Sequence, residues 1–268
     1  MLLVANLERK RELRRRGDSL KYTVESDIGL KRKVNEDRAA FVERPDHFKL
    51  AILADGMGGH NAGDVASDMA IKEMEYLFKN AISKNFDTKH SKKRWMLEVV
   101  KKVNEKIYNH SLVNEECSGM GTTLIAALID HEKCLISHIG DSRVYYFTQN
   151  NVELITRDHS YVNILVENGE ISEEEAENHP GKNMIIKSLG TEINIDPDFY
   201  EVTLEEGSFL LICSDGLSNK LSVDEMSAIL ALNMTIEEKG KKLVQLANDS
   251  GGEDNISLVL LSTSNEEV

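Results

Sequence analysis

The sequence predicts one large domain built as a sandwich of strands and helices. Its 268 residues, 41% of them hydrophobic, suffice to fill a single core, and three prolines with no Gly/Ser-rich stretch leave no flexible linker to divide it. Short apolar runs bounded by turn residues recur along the chain and read as buried strands. Segments with helical spacing of apolar residues stand between groups of those strands. Several strands end in a carboxylate, and antiparallel pairing would gather those ends at one edge.

Residues 1–20 form a basic arm carrying Arg9, Lys10, Arg11, Arg14, Arg15 and Arg16, expected to be a solvated terminus. Residues 21–268 form the folded domain. Lys21 to Ser26 reads as the first strand. The turn-rich stretch from Asp27 to Arg38 holds Arg32, Glu36 and Asp37 and reads locally as a surface loop of mixed charge. Ala39–Val42 and Phe48–Ala54 make a hairpin about Arg44-Pro45-Asp46. The apolar run Leu50–Ala54 ends at Asp55, followed by Gly56, Gly58, Gly59, His60 and Gly63, a glycine-rich turn that lets a ligand approach the main chain. Asp64 is expected to cap a helix over 64–81 whose inner side carries Ala66, Met69, Ala70, Met74, Leu77 and Phe78.

A second helix is expected over 92–113, with the sole tryptophan, Trp95, as a core anchor. Ser118–Thr123 reads as a turn into the strand 124–129, since it lacks the Lys of a nucleotide-binding loop. Strands follow at 133–139, 143–148 and 151–155. Asp158-His159-Ser160 opens a helix through Asn168. The polar stretch 169–182, with Glu173, Glu174, Glu175 and Glu177, reads as a solvated helix face at the edge of a site. Strands at 198–203 and 208–213, helices at 222–232 and 235–249, and a strand at 255–262 complete the chain.

The net charge of −14 disfavours nucleic acid, which needs a basic footprint, and with it a metal-dependent nuclease. Cys117, Cys134 and Cys213 are odd in number and unpaired in spacing, which fits a reducing, cytoplasmic setting. Met1–Leu7 is too short for a signal segment, and no run approaches the roughly 18 apolar residues of a membrane span.

The carboxylates carry the functional signal. Asp55, Asp141 and Asp215 each close an apolar strand, and Asp254 enters one. Such charges brought together repel strongly unless cations lie between them. Oxygen donors without a Cys/His cluster point to magnesium or manganese, not zinc. A cysteine phosphatase is disfavoured, because the positions six residues after the three cysteines are Thr123, Gly140 and Asn219 instead of arginine.

Seven segments, in order, resemble one family: Gly29-x-x-Arg32-x-x-Asn35-Glu36-Asp37, Asp55-Gly56-Met57-Gly58-Gly59-His60, Gly119-x-Gly121-Thr122-Thr123, Gly140-Asp141-Ser142-Arg143, Asp158-His159-Ser160, Ser214-Asp215-Gly216-Leu217 and Asp254-Asn255. They look like the metal-dependent Ser/Thr protein phosphatases of the protein phosphatase 2C type, in their bacterial form, and the resemblance spans about residues 21–262. It implies an α+β fold, a four-layer α-β-β-α sandwich with two antiparallel sheets flanked by helices.

The resemblance also implies a site. Two Mn2+ or Mg2+ ions are bridged by Asp55, with the Gly56 carbonyl on the second and Asp215 and Asp254 on the first. Asp141 would help hold a third. Glu36 and Asp37 act through water in the outer shell. Arg32 binds the substrate phosphate, and residues 161–189 match the family's flap. The implied reaction is hydrolysis of phosphoserine and phosphothreonine in phosphorylated proteins by a metal-bridging hydroxide, reversing a cognate Ser/Thr kinase. Some members carry a His directly after the Asp-Gly pair as the acid for the leaving alkoxide. Met57 stands there in this chain, so His60 is the first alternative and His159 a further one. Competing readings are a phosphatase dedicated to a single regulatory protein and a phosphoprotein-binding pseudophosphatase, whose mark, a missing metal-site acid, is not seen.

Overall fold

A computed structural model describes residues 20–57 and 62–263. The basic arm, and His60 with Gly58, Gly59 and Asn61, lie outside the described residues. The first sheet runs in the order β1 (Lys21–Asp27), β11 (Ile256–Ser262), β10 (Phe209–Cys213), β7 (Arg143–Phe147), β8 (Val152–Leu154). The second runs β2 (Asp37–Glu43), β3 (Lys49–Met57), β5 (Leu124–Asp130), β6 (Lys133–Ile139), β9 (Asp198–Thr203), with the short β4 (Gly121–Thr122) on the end of β3. Every ladder is antiparallel.

Side-chain alternation sorts the strands into layers, because successive residues point to opposite faces. Ala51, Leu53, Ile125, Ala127 and Ile136 meet Val144, Leu210, Ile212, Val259 and Leu261 in a core between the sheets. The alternate residues Leu50, Ile52, Ala54, Leu124 and Ala126 turn outward, against helices α1 (Gly63–Lys79) and α2 (Lys89–Val113). Leu211, Cys213, Leu258 and Leu260 turn the other way, against α6 (Val223–Leu230) and α7 (Ile236–Asp249). Four layers result, as the resemblance implied. Between β8 and β9, α3 (Tyr161–Glu167) and α4 (Glu173–Glu177) form the predicted polar insertion. The last small helix, α5 (Asp215–Ser218), follows β10 directly.

Hydroxyl caps fix the helix starts. Thr88, Ser172, Ser222 and Thr235 each accept a hydrogen bond from the third helical N–H in a capping box, and Ser160 does so for α3. The expected cap at Asp64 is not what forms. Helix α1 begins one residue earlier behind Ala62, and the Asp64 carboxylate accepts from Val65 N–H at 2.9 Å inside the first turn. The strand before it is longer than expected. β3 continues through Asp55 to Met57 because Gly56 and Met57 pair with Thr122 and Gly121. Trp95 is buried against Phe78 and Phe86, as a core anchor.

Ile212 is fully buried between the sheets. Replacing it with Ala should lower stability by about 2–5 kcal/mol through lost burial and a residual cavity, read as a shift of the urea midpoint.

Candidate metal and phosphate site

The inner-face alternation that builds the intersheet core also delivers the acids. Asp55 continues the series Ala51, Leu53 on β3, and Asp37 lies opposite it in the β2–β3 register. Ser214 continues Leu210 and Ile212, and Ser257 precedes Val259 on the same face of β11. The core therefore changes from apolar to polar within one residue step, at one end of both sheets. Asp141 follows β6 and Asp215 follows β10 at this end, and Asp254 sits two residues before β11.

Asp37 is the deepest, 1% exposed. Ser214 Oγ donates to its Oδ2 at 2.6 Å, and Ser257 N–H donates to Ser214 Oγ at 3.0 Å, so this link ties one sheet to the other. Burial, with the charge of Asp215 added, raises Asp37 to about 7. Asp55 is pushed well above the ordinary carboxylate range by burial and then by Asp37, Asp215, Asp141 and Asp254. Asp141 rises to about 7, by burial and the charge of Asp215. Asp215 rises to about 6, by burial and the charge of Asp254 against the opposing Arg32. Burial also raises Glu36.

The backbone around these acids is held closely. Asp55 N–H donates to Thr123 Oγ1 at 3.0 Å, while Thr123 N–H and Thr122 Oγ1 both donate to the Asp55 carbonyl at 2.9 Å. Gly56 N–H donates to the Glu36 carbonyl at 3.1 Å, and a Cβ on Gly56 would collide with the Gly63 carbonyl. The start of α1 and the end of β3 can meet only through that glycine. Asn255 is the organiser of the Arg32 loop. Its Oδ1 accepts from Glu36 N–H at 2.8 Å, and its Nδ2 donates to the carbonyls of Ile28 and Val34 at 2.9 and 3.0 Å. Gly29, at φ +80°, closes the same loop where a Cβ would strike the Asp254 carbonyl.

Arg32 reaches Asp254 Oδ2 at 2.7 Å, and Asn219 donates to Asp215 Oδ2 at 3.1 Å. The loop expected to be an ordinary charged surface thus delivers a cation to the carboxylate cluster. His159 is half built into the scaffold. Its Nδ1 accepts from Gly140 N–H at 3.0 Å, and its Nε2 lies 3.3 Å from Asp198 Oδ2. Through Nδ1 it steadies the turn that carries Asp141. Asp158 is bound by Arg143, whose Nη2 lies 2.7 Å from Oδ2.

A divalent cation fits this donor set. All the donors are oxygens, their charges raise one another, and Asp141 Oδ1 is buried without a hydrogen-bond partner. The acids do not converge on a single point, however. Among the described residues no three of these acids bring their oxygens within 4.8 Å of one another, and Arg32 supplies the countercharge to Asp254. The expectation that Asp55, Asp215 and Asp254 share one ion therefore requires side-chain movement from the arrangement seen. A cleft of about 760 Å³ runs from Asp141 and Asp215 past Arg143 and Asp158 to Asn163 and Lys182 on the insertion.

Sequence reading missed the supports. Thr122, Thr123, Ser214 and Asn255 stand in the segments that carry the resemblance and Ser257 does not, but the supporting role of each shows only in its burial and partners.

An antiparallel four-layer sandwich with a carboxylate cluster at one end is the architecture of the metal-dependent phosphatases. The protein phosphatase 2C family model matches residues 31–252. The serine/threonine phosphatase stp of Listeria monocytogenes is 39% identical over 236 residues, covering 88% of this chain and 93% of that protein. Protein phosphatase PhpP of Streptococcus pneumoniae is 39% identical over 244 residues, covering 90% and 97%. Among solved structures, the S. agalactiae serine/threonine phosphatase superposes with a TM-score of 0.86 at 37% identity, covering 91% of this chain and 99% of that one. The catalytic domain of PstP in complex with two manganese ions superposes with a TM-score of 0.78 at 32% identity, covering 91% and 97%. This chain belongs to the protein phosphatase 2C family.

The raised acids set a pH dependence. Asp37, Asp141 and Asp215 stand at about 7, 7 and 6 against an ordinary 3.8, so between about pH 4 and 7 the folded chain binds protons that the unfolded chain has released. Stability of the metal-free protein should therefore fall as pH rises through that window and level off above it. Urea midpoints measured at pH 5 and pH 8 in EDTA check the slope. Manganese should raise the midpoint more at pH 8 than at pH 5.

Proposed function

We propose that this chain removes phosphate from phosphoserine and phosphothreonine in proteins, with Mn2+ or Mg2+ held by Asp55, the Gly56 carbonyl, Asp215 and Asp254. The observation that carries the reading is the buried carboxylate cluster with Arg32 at its mouth. Asp141, with its unpartnered oxygen, would help hold a third ion, and Glu36 and Asp37 would hold water around the centre. When bound, the ions offset the carboxylate charge and activate water by Lewis acidity.

The chain's own residues position the substrate. Arg32 lies 48% exposed at the rim, so its guanidinium can exchange the Asp254 carboxylate for two oxygens of an incoming phosphate. That exchange would free Asp254 for a cation. Asn219 orients Asp215. Asn255 and Gly29 hold the Arg32 loop against Asp254, so the phosphate binder and the metal binder move as one unit. The fixed backbone of Asp55, held by Thr122 and Thr123, limits reorganisation as charge develops. His60 is assigned as the proton donor to the leaving alkoxide. The cleft of about 760 Å³ toward α3 and α4 offers space beside the acids for part of a protein substrate phosphorylated by a Ser/Thr kinase. Its three unpaired cysteines suit a cytoplasmic protein, and among the described residues no helix is long and apolar enough to cross a membrane.

Phosphate release from a phosphothreonine peptide should require manganese or magnesium, stop with EDTA, and fall by roughly 10²-fold or more in Asp55→Asn. Undiminished turnover in that variant overturns the reading. Arg32→Ala should lower kcat/KM by the equivalent of about 1.5–3 kcal/mol, the scale of a charge-assisted hydrogen bond to phosphate. His60→Gln should slow a phosphoserine peptide far more than p-nitrophenyl phosphate, whose leaving group needs no proton. Equal slowing of both would remove His60 from the acid role.

A further inference from the structure

At the far end of the second sheet, two turns carry an unusual pair of residues. His47 lies between β2 and β3 at φ 71°, and His131 lies between β5 and β6 at φ 53°. They are the only non-glycine residues with positive φ among the described residues. That backbone region is uncommon for residues with a Cβ, and such strain gathers where a side chain must be aimed. Both histidines are aimed at one carboxylate. The β3–β5 ladder, with Lys49 opposite Ile129, sets the two turns side by side.

His47 Nε2 lies 3.1 Å from Asp130 Oδ1, and His131 Nε2 lies 3.8 Å from the same oxygen. The two imidazoles stack with centroids 4.4 Å apart and planes 16° from parallel. One donor atom from each of the three side chains falls within 4.8 Å of the others. A tetrahedral ion with bonds of ~2.0–2.1 Å to N and O spaces its donors about 3.3 Å apart, between the two N–O distances seen, and ligation would turn the imidazoles out of their stack so that both nitrogen lone pairs converge. Asp130 Oδ2 is already engaged by Lys92 Nζ, which also lies over the Phe48 ring. Lys92 thus orients the carboxylate from its far side, as an outer partner orients a metal ligand.

We propose that His47, Asp130 and His131 form a second cation site, distinct from the catalytic centre and selective for a borderline ion of the zinc class. Two imidazoles and one carboxylate oxygen suit zinc, cobalt or nickel, whereas the all-oxygen centre suits magnesium or manganese. The sites are well separated. Eight strand steps from His47 to Asp55, at about 3.3 Å each, put roughly 26 Å between them. Water can fill the fourth position, since His47 is 46% exposed. The ion would pin the β2–β3 and β5–β6 turns together and, through Lys92, brace α2. Its role is structural, a metal-dependent clamp on the end of the sheet away from catalysis. The positive charge of Lys92 makes it a weaker site than one with an unshared carboxylate.

The test uses the full chain, stripped of metal and then saturated with magnesium to fill the oxygen sites. Calorimetric titration with zinc chloride should show one more equivalent in the native chain than in His47→Asn/His131→Asn, in which Asn retains the left-handed backbone. Zinc-edge X-ray absorption should show imidazole scattering in the native chain that the double variant lacks. Zinc should raise the native melting temperature and leave that of the variant unchanged. Equal stoichiometry in the two proteins, or oxygen-only ligation of the extra zinc, overturns the proposal and leaves an ordinary His–Asp contact. Should the double variant not fold in magnesium alone, as judged by circular dichroism, the single His47→Asn decides by the same readouts. It must bind the extra zinc at least tenfold more weakly.

Discussion

The mutual repulsion of carboxylates buried at one end of the sandwich is the constraint that organises this molecule. Two unit charges 4 Å apart at an effective dielectric near 20 interact by about 4 kcal/mol, so a cluster of acids cannot all stay ionised without compensation. The structure compensates in three ways. Asp37 is buried, raised to about 7 and held by Ser214, which allows it to stay neutral. Arg32 sits on Asp254. Asp141, raised to about 7, is likewise able to stay neutral. Each device leaves room for divalent ions, whose positive charge would offset the repulsion.

The sandwich carries this load because its core is continuous with the site. Ala51, Leu53 and Asp55 are three steps of one alternation, as are Leu210, Ile212 and Ser214. The apolar steps drive the sheets together, and the polar step that follows is carried inward with them. Buried acids are therefore imposed by the same packing that stabilises the fold. The cost is offset by the Asp37–Ser214–Ser257 bonds between sheets and by the close backbone ties at Thr122, Thr123 and Asn255. The two ends of the second sheet then differ in kind. One is lined by hard oxygen donors, and the other brings two imidazoles to a carboxylate already steadied by Lys92.

Much of this was legible residue by residue. Strand and helix positions followed from apolar periodicity, and Thr88, Ser160, Ser222 and Thr235 stand where helix starts were expected within a few residues. Asp55, Asp141, Asp215 and Asp254 stood out because a carboxylate at the end of an apolar strand is costly without a purpose. Asp64 failed as a cap because the helix begins at Gly63 behind Ala62, so its carboxylate falls inside the first turn and accepts from Val65 N–H. The roles of Ser214 and Asn255 were silent although both stand in the motifs that carry the resemblance, since what a serine or asparagine does in a turn is set by its neighbours in space. His47 and His131 were equally silent. They are 84 positions apart by their numbering and meet only because β3 pairs with β5.

Local chemistry, which needs no knowledge of distant partners, determined the elements, the carboxylate-bearing strand ends and the family that their order defines. Tertiary structure alone decided which acids lose their water, which cation answers them and which turns stand side by side. Desolvation and charge coupling depend on distances between segments hundreds of bonds apart along the chain, and only folding sets those distances.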